Sequence, residues 1–181
     1  MNENHFRQVM NADHIDRTLQ RMAHQIWERS ARSHLALVGI RSRGATLATR
    51  LRPFVESLAH DDIPLGLLDI GLYRDDIGRT SPAPPVRSTD IQFDIEQKDI
   101  VLVDDVLYTG RTVRAALNAL MDLGRPSRVQ LLTLVDRGGR ELPIQADYTG
   151  ESVKTYENEV VVVRLREEDG EDGVFIRKEL G

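Results

Sequence analysis

The fold class follows from one stretch of the sequence, Ile100-Val101-Leu102-Val103-Asp104-Asp105-Val106-Leu107-Tyr108-Thr109-Gly110-Arg111-Thr112. Its first four residues are branched and apolar, which predicts a buried strand. Two adjacent carboxylates follow, then a tight loop rich in small and hydroxyl-bearing residues, then a helix predicted from about Thr112 to Leu123. A strand, a tight loop and a helix in succession are typical of an α/β domain with a parallel core sheet.

The chain on either side of this stretch repeats the alternation of strands and helices. Apolar runs predict further strands at Leu35–Ile40, Leu65–Tyr73 and Val129–Val135. Apolar residues at helical spacing predict a first helix after Asn11 and a second helix that ends near Leu58. Such alternation implies parallel strands joined by right-handed crossovers, with helices flanking the sheet.

The tail has a different pattern. Two apolar runs, Val160–Val163 and Val174–Ile176, flank the acidic, glycine-containing segment Glu167–Asp172. This pattern predicts a small antiparallel hairpin at the C-terminus. The calcium-loop spacing of carboxylates is absent, so we expect the acidic segment to be a solvated turn and not a metal site.

The composition excludes several classes of protein. The 181 residues suffice for one domain, and 40% hydrophobic with 29% charged residues is an ordinary globular composition. The net charge of −5 means that contact with nucleic acid requires a local basic patch. The absence of cysteine excludes disulfides and thiol nucleophiles, and it fits a reducing compartment. No secretory signal or membrane-spanning run is visible, so we expect a cytoplasmic protein without a membrane partner.

The segment Thr109–Thr112 is suited to binding a phosphate. It lies at the start of a helix, where free backbone N–H groups and the positive end of the helix dipole attract anions, and Gly110 lets the backbone come close. The preceding carboxylates, Asp104 and Asp105, suit the hydroxyls of a ribose or a magnesium ion. The alternative is an ordinary strand–loop–helix unit with two solvated aspartates. Neither a Walker A loop nor a dinucleotide-binding glycine motif is present.

Two arginines, Arg41 and Arg43, flank the turn after the strand Leu35–Ile40. Arginine can donate two hydrogen bonds to neighbouring oxygens of a phosphate, and this turn follows the carboxyl end of a strand, where ligands bind in parallel sheets. The alternative interpretation is a solvated basic turn.

These motifs resemble those of a known family. The stretch Ile100–Thr112 resembles the phosphoribosyl pyrophosphate (PRPP) signature of type I phosphoribosyltransferases, and Leu37–Gly44 resembles their pyrophosphate loop. Two further segments, Asp69–Asp76 and Val135–Ile144, resemble the flexible-loop entry and the base-binding hood of one branch. That branch comprises the pyrimidine operon attenuation regulators that are also uracil phosphoribosyltransferases. Its members usually carry His at the position of Gly139 and often Thr at the position of Gln20.

The resemblance implies a type I phosphoribosyltransferase fold with a C-terminal hood or hairpin, and the reaction of uracil with PRPP to give UMP and pyrophosphate, with Mg²⁺ on the diphosphate. The implied residues fall into four groups. PRPP would contact Arg41, Arg43 and Val103, Asp104, Asp105, Val106, Leu107, Tyr108, Thr109, Gly110, Arg111 and Thr112. Asp104 and Asp105 would be catalytic, and Asp136 and Arg137 would bind the base. Arg74, Asp75 and Asp76 would open a lid loop over about residues 74–90, which is rich in proline and poor in apolar residues.

The first helix is the candidate for RNA binding. Its predicted buried stripe contains Ile15, Leu19, Met22 and Ile26, and its opposite stripe contains Arg17, Arg21 and His24. The resemblance implies that this second stripe binds the leader of the pyrimidine operon messenger RNA, with uridine nucleotides (UMP or UTP) as effectors, in a homo-oligomer. The alternative is a solvated amphipathic helix, which Glu28 on the same stripe favours.

Two other functions stay open at the level of the sequence. One is transfer of phosphoribose to another base, such as orotate or a purine, because only the hood residues favour uracil. The other is a regulator that binds PRPP or a nucleotide without catalysis.

Overall fold

The computed structural model describes residues 6–30, 34–73 and 89–179. The predicted lid residues Arg74, Asp75 and Asp76 lie outside these ranges. The strands are β1 (Phe6–Asn11), β2 (Leu35–Ile40), β3 (Leu65–Leu68), β4 (Asp99–Leu107), β5 (Arg128–Asp136), β6 (Tyr148–Ser152), β7 (Glu159–Arg164) and β8 (Gly173–Lys178). The helices are α1 (Ala12–Arg29), α2 (Arg43–Ala59), α3 (Arg111–Met121) and the short α4 (Arg166–Asp169).

The core is a five-stranded parallel sheet in the order β3-β2-β4-β5-β6. Side chains alternate across its central strand, so that Val101 and Val103 pack towards α1 and α2 while Ile100 and Leu102 pack towards α3. The sheet is therefore covered on both faces, as the continuous apolar runs predicted. The parallel α/β architecture is confirmed.

A second sheet has three antiparallel strands in the order β1-β8-β7. The antiparallel hairpin β7–β8 was predicted from the two apolar runs in the C-terminal part of the chain and is confirmed. Two strands were missed by the sequence analysis: β1, which adds an edge to this sheet, and β6, which adds an edge to the parallel sheet. Both are edge strands with few buried residues, so their apolar pattern is weak.

Two element boundaries correct the sequence prediction. The third strand ends at Leu68 and not at Tyr73, because the Asp69 side chain accepts the Gly71 N–H at 2.8 Å and turns the chain into a 3₁₀ turn. The strand β4 continues through the two carboxylates to Leu107, because the neighbouring strand β5 extends as far and keeps it paired.

The first helix begins and packs as its sequence predicts. Asn11 is the N-cap, and its side chain accepts the His14 N–H at 2.8 Å. The predicted apolar stripe is buried, while Arg17, Arg21 and His24 are exposed. Among the described residues, no helix is long and apolar enough to cross a membrane.

Candidate active site

A cavity of about 270 Å³ lies at the carboxyl ends of β2 and β4. It is lined by Ile40, Arg41, Ser42, Arg43, Ile70, Asp104, Asp105, Val106 and Thr112. The fold therefore brings the predicted pyrophosphate turn to the same cavity as the carboxylate pair and the start of α3, although the turn comes from a separate segment of the chain.

Gly44 is what allows α2 to begin so close to β4. A Cβ atom at this position would lie 2.4 Å from the carbonyl oxygen of Val103 and 3.1 Å from the Cα of Asp104. Any larger residue would force the first turn of α2 away from the strand. The close approach places Arg43 where its charge acts on the Asp105 carboxyl.

The two carboxylates have different surroundings. Asp104 is buried, at 6% exposure, and its Oδ1 accepts the N–H of Asp105 at 3.0 Å. The Oδ1 of Asp105 accepts the Val106 N–H at 2.9 Å. Burial raises the pKa of the Asp105 carboxyl, against the opposing effects of its hydrogen bonds and of Arg43. A cation or hydroxyl donor in the cavity would therefore stabilise the ionised form.

The two arginines are held differently. Arg43 donates from Nη2 and Nε to the Asp169 carboxylate, at 2.8 Å and 3.2 Å. The Nε of Arg41 is buried without a hydrogen-bond partner. A buried donor of this kind is costly unless a ligand or water satisfies it, which is consistent with an anion site.

The loop between β4 and α3 depends on Gly110. This residue is the N-cap of α3 and has φ of +92°, a left-handed conformation that favours glycine. No side chain caps the helix start, although the Arg111 N–H reaches the Thr109 Oγ1 at 3.3 Å. Thr112, in the first turn, lines the cavity. The helix start is thus open towards the hollow.

The segment after β5 packs over this loop. The N–H groups of Glu141 and Leu142 both donate to the Thr109 carbonyl, at 3.0 and 3.1 Å. The Arg140 guanidinium donates to the Tyr108 carbonyl at 2.9 Å and to the Asp136 carboxylate at 2.6 Å. Burial raises the pKa of Asp136, but the hydrogen bonds from Arg140 and the Gly138 N–H outweigh it, and the net pKa is lowered.

Arg137 is stacked against an aromatic ring. Its guanidinium carbon lies 3.8 Å from the centre of the Tyr108 ring, and its Nη2 donates to the Glu159 carbonyl at 3.0 Å. The ring also covers Gly139, where a Cβ atom would lie 2.5 Å from the Tyr108 Cε2. The absence of a side chain at position 139 therefore permits this packing.

The remaining predicted residues lie in the core, in the loop that leads into α3 and on α1. The side chains of Val103 and Leu107 are buried in the core, so only their backbone groups can meet a ligand. Tyr108, Thr109 and Gly110 lie between β4 and α3, and Arg111, the first residue of α3, pairs with Glu141 at 2.6 Å. On α1, Arg21 donates to the Gly150 carbonyl at 2.7 Å.

Three residues of the site were missed by the sequence analysis. Ser42 lines the cavity, Arg140 fastens the segment after β5, and Asp169 pairs with Arg43. The acidic turn is exposed, as predicted, but its carboxylates also pair with arginines of α2 and β7, which the sequence analysis did not predict. Polar residues at helical spacing along α2 indicated a polar face, but no local signal indicated which carboxylates pair with it.

Asp104 and Asp105 are the residues that would hold a magnesium ion. No cluster of three or more histidine or acidic side chains with the geometry of a metal site occurs in the described ranges. Asp104 and Asp105 nevertheless offer hard carboxylate oxygens to the cavity, and Mg²⁺ in proteins commonly takes one or two carboxylates with substrate phosphates.

Comparisons with known proteins agree with this geometry. The model of the phosphoribosyl transferase domain family matches residues 7–168, and the chain belongs to this family. The bifunctional protein PyrR of Roseiflexus sp. (strain RS-1) is 56% identical over 172 residues, covering 94% of each chain. That of Thermus aquaticus is 53% identical over 175 residues, covering 96% of this chain and 97% of the other. Within its family, therefore, the chain belongs to the bifunctional PyrR proteins.

Solved structures of more distant proteins show the same fold. A hypoxanthine phosphoribosyltransferase from Staphylococcus aureus superposes with a TM-score of 0.70 at 20% identity, covering 99% of this chain and 98% of the other. One from Trypanosoma cruzi has a TM-score of 0.72 at 15% identity, covering 98% and 94%. At these identities the likeness concerns the fold alone.

Proposed function

We propose that this chain is a uracil phosphoribosyltransferase, which makes UMP and pyrophosphate from uracil and PRPP, and that it also regulates pyrimidine genes by UMP-dependent binding to messenger RNA. The observation that carries the enzymatic part is the cavity that joins Arg41 and Arg43 to Asp104, Asp105 and Thr112. One cavity thus offers cations to a diphosphate, carboxylates to a ribose and a helix start to a phosphate. Transfer from PRPP requires all three.

In the proposed reaction the bond between the anomeric carbon and pyrophosphate breaks early, which leaves positive charge on the ribose ring. Asp104 and Asp105 hold the ribose hydroxyls and lie near this charge. The backbone of Thr109–Thr112 holds the 5′-phosphate, and Arg41 and Arg43 neutralise the departing pyrophosphate. Asp136 and Arg137, at the end of the next strand, orient the base. The chain thus acts by positioning and charge complementarity, without a covalent nucleophile.

Magnesium belongs to this proposal as a partner of PRPP. The carboxylates of Asp104 and Asp105 would hold it when PRPP is bound. When bound, it supplies positive charge that stabilises the leaving pyrophosphate.

The regulatory part of the proposal rests on α1. Arg17, Arg21 and His24 are exposed along one face of this helix, which supports local contact with RNA phosphates although the net charge is −5. Pairing of α1 helices in a homo-oligomer would double this face and suit a folded RNA with loops and bulges. We place the protein in the cytoplasm, where PRPP and the nascent transcript occur together.

The enzymatic proposal is tested by measuring UMP formation from PRPP and radiolabelled uracil, with orotate and hypoxanthine as competing bases. We expect turnover with uracil alone, and loss of PRPP binding in Thr109→Asp and Gly110→Val by charge repulsion or occlusion. Preference for another base would reassign the substrate, and PRPP binding without turnover would favour a non-catalytic regulator.

The regulatory proposal is tested by gel-shift titration with the leader RNA of the pyrimidine operon and a scrambled RNA, at two salt concentrations. We expect tighter binding to the leader when UMP is present, and weaker binding by Arg17→Ala and Arg21→Ala. Glu28→Gln, on the same helix face, is the control and should not weaken binding. Equal affinity for both RNAs would leave only the enzyme.

A further inference from the structure

One face of α2 is fastened to the acidic turn between β7 and β8. Arg43, Thr46 and Arg50 lie on this face at spacings of three and four. Arg50 pairs with Glu167 and Asp172, Thr46 donates to Glu168 at 2.9 Å, and Arg43 pairs with Asp169. The turn therefore contacts the helix along two turns, and its Asp169 end lies next to the cavity.

The Arg43–Asp169 pair has a defined geometry. Asp169 binds the side edge of the guanidinium, through Nε and Nη2. Its Oδ2 also accepts the Leu165 N–H at 2.9 Å, so the carboxylate is anchored from its own segment. The hydrogen bond from Arg43 lowers the pKa of Asp169, against desolvation, so the carboxylate is charged at neutral pH.

The alternative partner of Arg43 is Asp105, whose charge also acts on this guanidinium. Collapse of Arg43 onto Asp105 would neutralise both a cation needed for the diphosphate and a carboxylate needed for the ribose. In the structure the side edge of the guanidinium is instead occupied by Asp169. This contact leaves the Nη1 end of the guanidinium for other acceptors, because an arginine carries five donors in a planar fork.

We propose that Asp169 is a positioning residue, which holds Arg43 away from Asp105 and presents its guanidinium end to the pyrophosphate group. This inference rests on the proposed function and assigns to the C-terminal hairpin a part in binding the diphosphate. Asp169 is not among the residues that line the cavity. It acts through Arg43.

The test is calorimetric titration of Asp169→Asn with Mg²⁺-pyrophosphate and, separately, with UMP. Asparagine keeps the shape and one acceptor but removes the charge. We expect pyrophosphate affinity to fall about tenfold, the loss of one well-oriented charge-assisted contact. UMP affinity should be unchanged. In turnover assays, KM for PRPP should rise more than kcat falls. Glu167→Gln, in the same turn but paired with Arg50 instead of Arg43, is the matched control and should bind both ligands as the wild type does.

A double-mutant cycle shows whether Asp169 acts through Arg43. Once Arg43→Gln is present, adding Asp169→Asn should weaken pyrophosphate binding no further. Unchanged pyrophosphate affinity in Asp169→Asn, equal loss for UMP and pyrophosphate, or additive effects in the cycle would each overturn the inference while the enzymatic proposal stands. A wild-type protein that binds neither ligand would overturn both.

Should Asp169→Asn fail to fold, Asp169→Glu replaces it in the same measurements. This variant keeps the charge but lengthens the side chain, and we expect the same selective loss of pyrophosphate affinity.

Discussion

Asp104 and Asp105 are adjacent but serve the proposed reaction from different environments. Asp104 is buried beside the backbone of β4, whereas Asp105 is partly exposed and faces the charge of Arg43. Removing the charges while keeping the side-chain shapes isolates their electrostatic contribution.

We therefore expect Asp104→Asn with Asp105→Asn to lower uracil turnover at least a hundredfold, the range seen when preorganised electrostatic groups are removed. The measurement is steady-state UMP formation, with circular dichroism to check the fold. Asp61→Asn with Asp62→Asn provides the control, because these adjacent carboxylates are exposed and follow α2 at the opposite end of the sheet. Near-normal activity of the first double variant would contradict the assignment.

Gly139 and Gly138 offer a second comparison at single positions. Both have positive φ, at +76° and +70°, so alanine at either costs about 1–3 kcal/mol of backbone strain. Only Gly139→Ala also meets the Tyr108 ring. We expect both variants to lose similar thermal stability, while Gly139→Ala alone raises KM for uracil about two- to fivefold as the Tyr108–Arg137 stack is lost. Equal KM values would show that the stack does not assist base binding.

At the scale of elements, the acidic turn ties the antiparallel sheet to α2 and makes the stability of the fold depend on pH. The hydrogen bond from Arg50 lowers the pKa of Glu167 below its ordinary 4.5. For Asp172, burial raises the pKa, but the hydrogen bonds from Arg50 and the Arg166 N–H bring it below its ordinary 3.8. A carboxyl with a lowered folded pKa stabilises the fold above its unfolded pKa, and that stabilisation is lost as pH falls through the folded value.

The wild-type Tm should therefore decrease on acidification from about pH 5 to pH 3, and Glu167→Gln should show a shallower decrease because it lacks one of these carboxyls. Thermal unfolding followed by circular dichroism at several pH values measures both slopes. Glu28→Gln, exposed on α1, is the control with the wild-type slope. Identical slopes for Glu167→Gln and the wild type would mean that the pair does not stabilise the turn.

Elements differ in how far their sequence predicts them. The strands of the parallel sheet carry continuous apolar runs, such as Leu35–Ile40, because both faces are buried. The edge strand β6 carries no such run: it reads Tyr-Thr-Gly-Glu-Ser, and only its position beside β5 makes it a strand. The end of β4 was likewise set by its partner, since pairing with β5 continues past the carboxylates. Local patterns cannot contain this information.

At the scale of the whole molecule, binding of PRPP should stabilise the fold, since the cavity joins segments from separate parts of the chain. With Mg²⁺-PRPP at a hundred times its Kd, linkage predicts about 2.7 kcal/mol. For a chain of this size that corresponds to a rise in Tm of about 5–11 °C. Differential scanning fluorimetry measures it. Thr109→Asp should show no rise, and a ligand-independent Tm in the wild type would contradict the proposed site.

The site as a whole was only partly predictable, because local sequence patterns do not indicate contacts between distant segments. A motif such as Ile100–Thr112 is contiguous, so its chemistry can be recognised before the fold is known. The Arg43–Asp169 pair joins residues far apart in the sequence, and nothing near either residue indicates the other. Gly44 is a further example. The requirement for glycine at this position, next to Val103, becomes evident only once α2 lies against β4.

The pairing of β1 with β8 has a consequence for the order in which the protein is made. Phe6 lies opposite Arg177, so a segment from near the start of the chain is hydrogen-bonded to one from near its end. Contacts of such long sequence separation form slowly, because a large loop must close first. During synthesis β1 has no partner until β8 leaves the ribosome, and Asp169 stands just before β8. The diphosphate end of the site is thus completed only after the rest of the site has been translated, and a nascent chain stalled before Asp169 would contain the carboxylate pair and the phosphate-binding segment but lack the partner of Arg43.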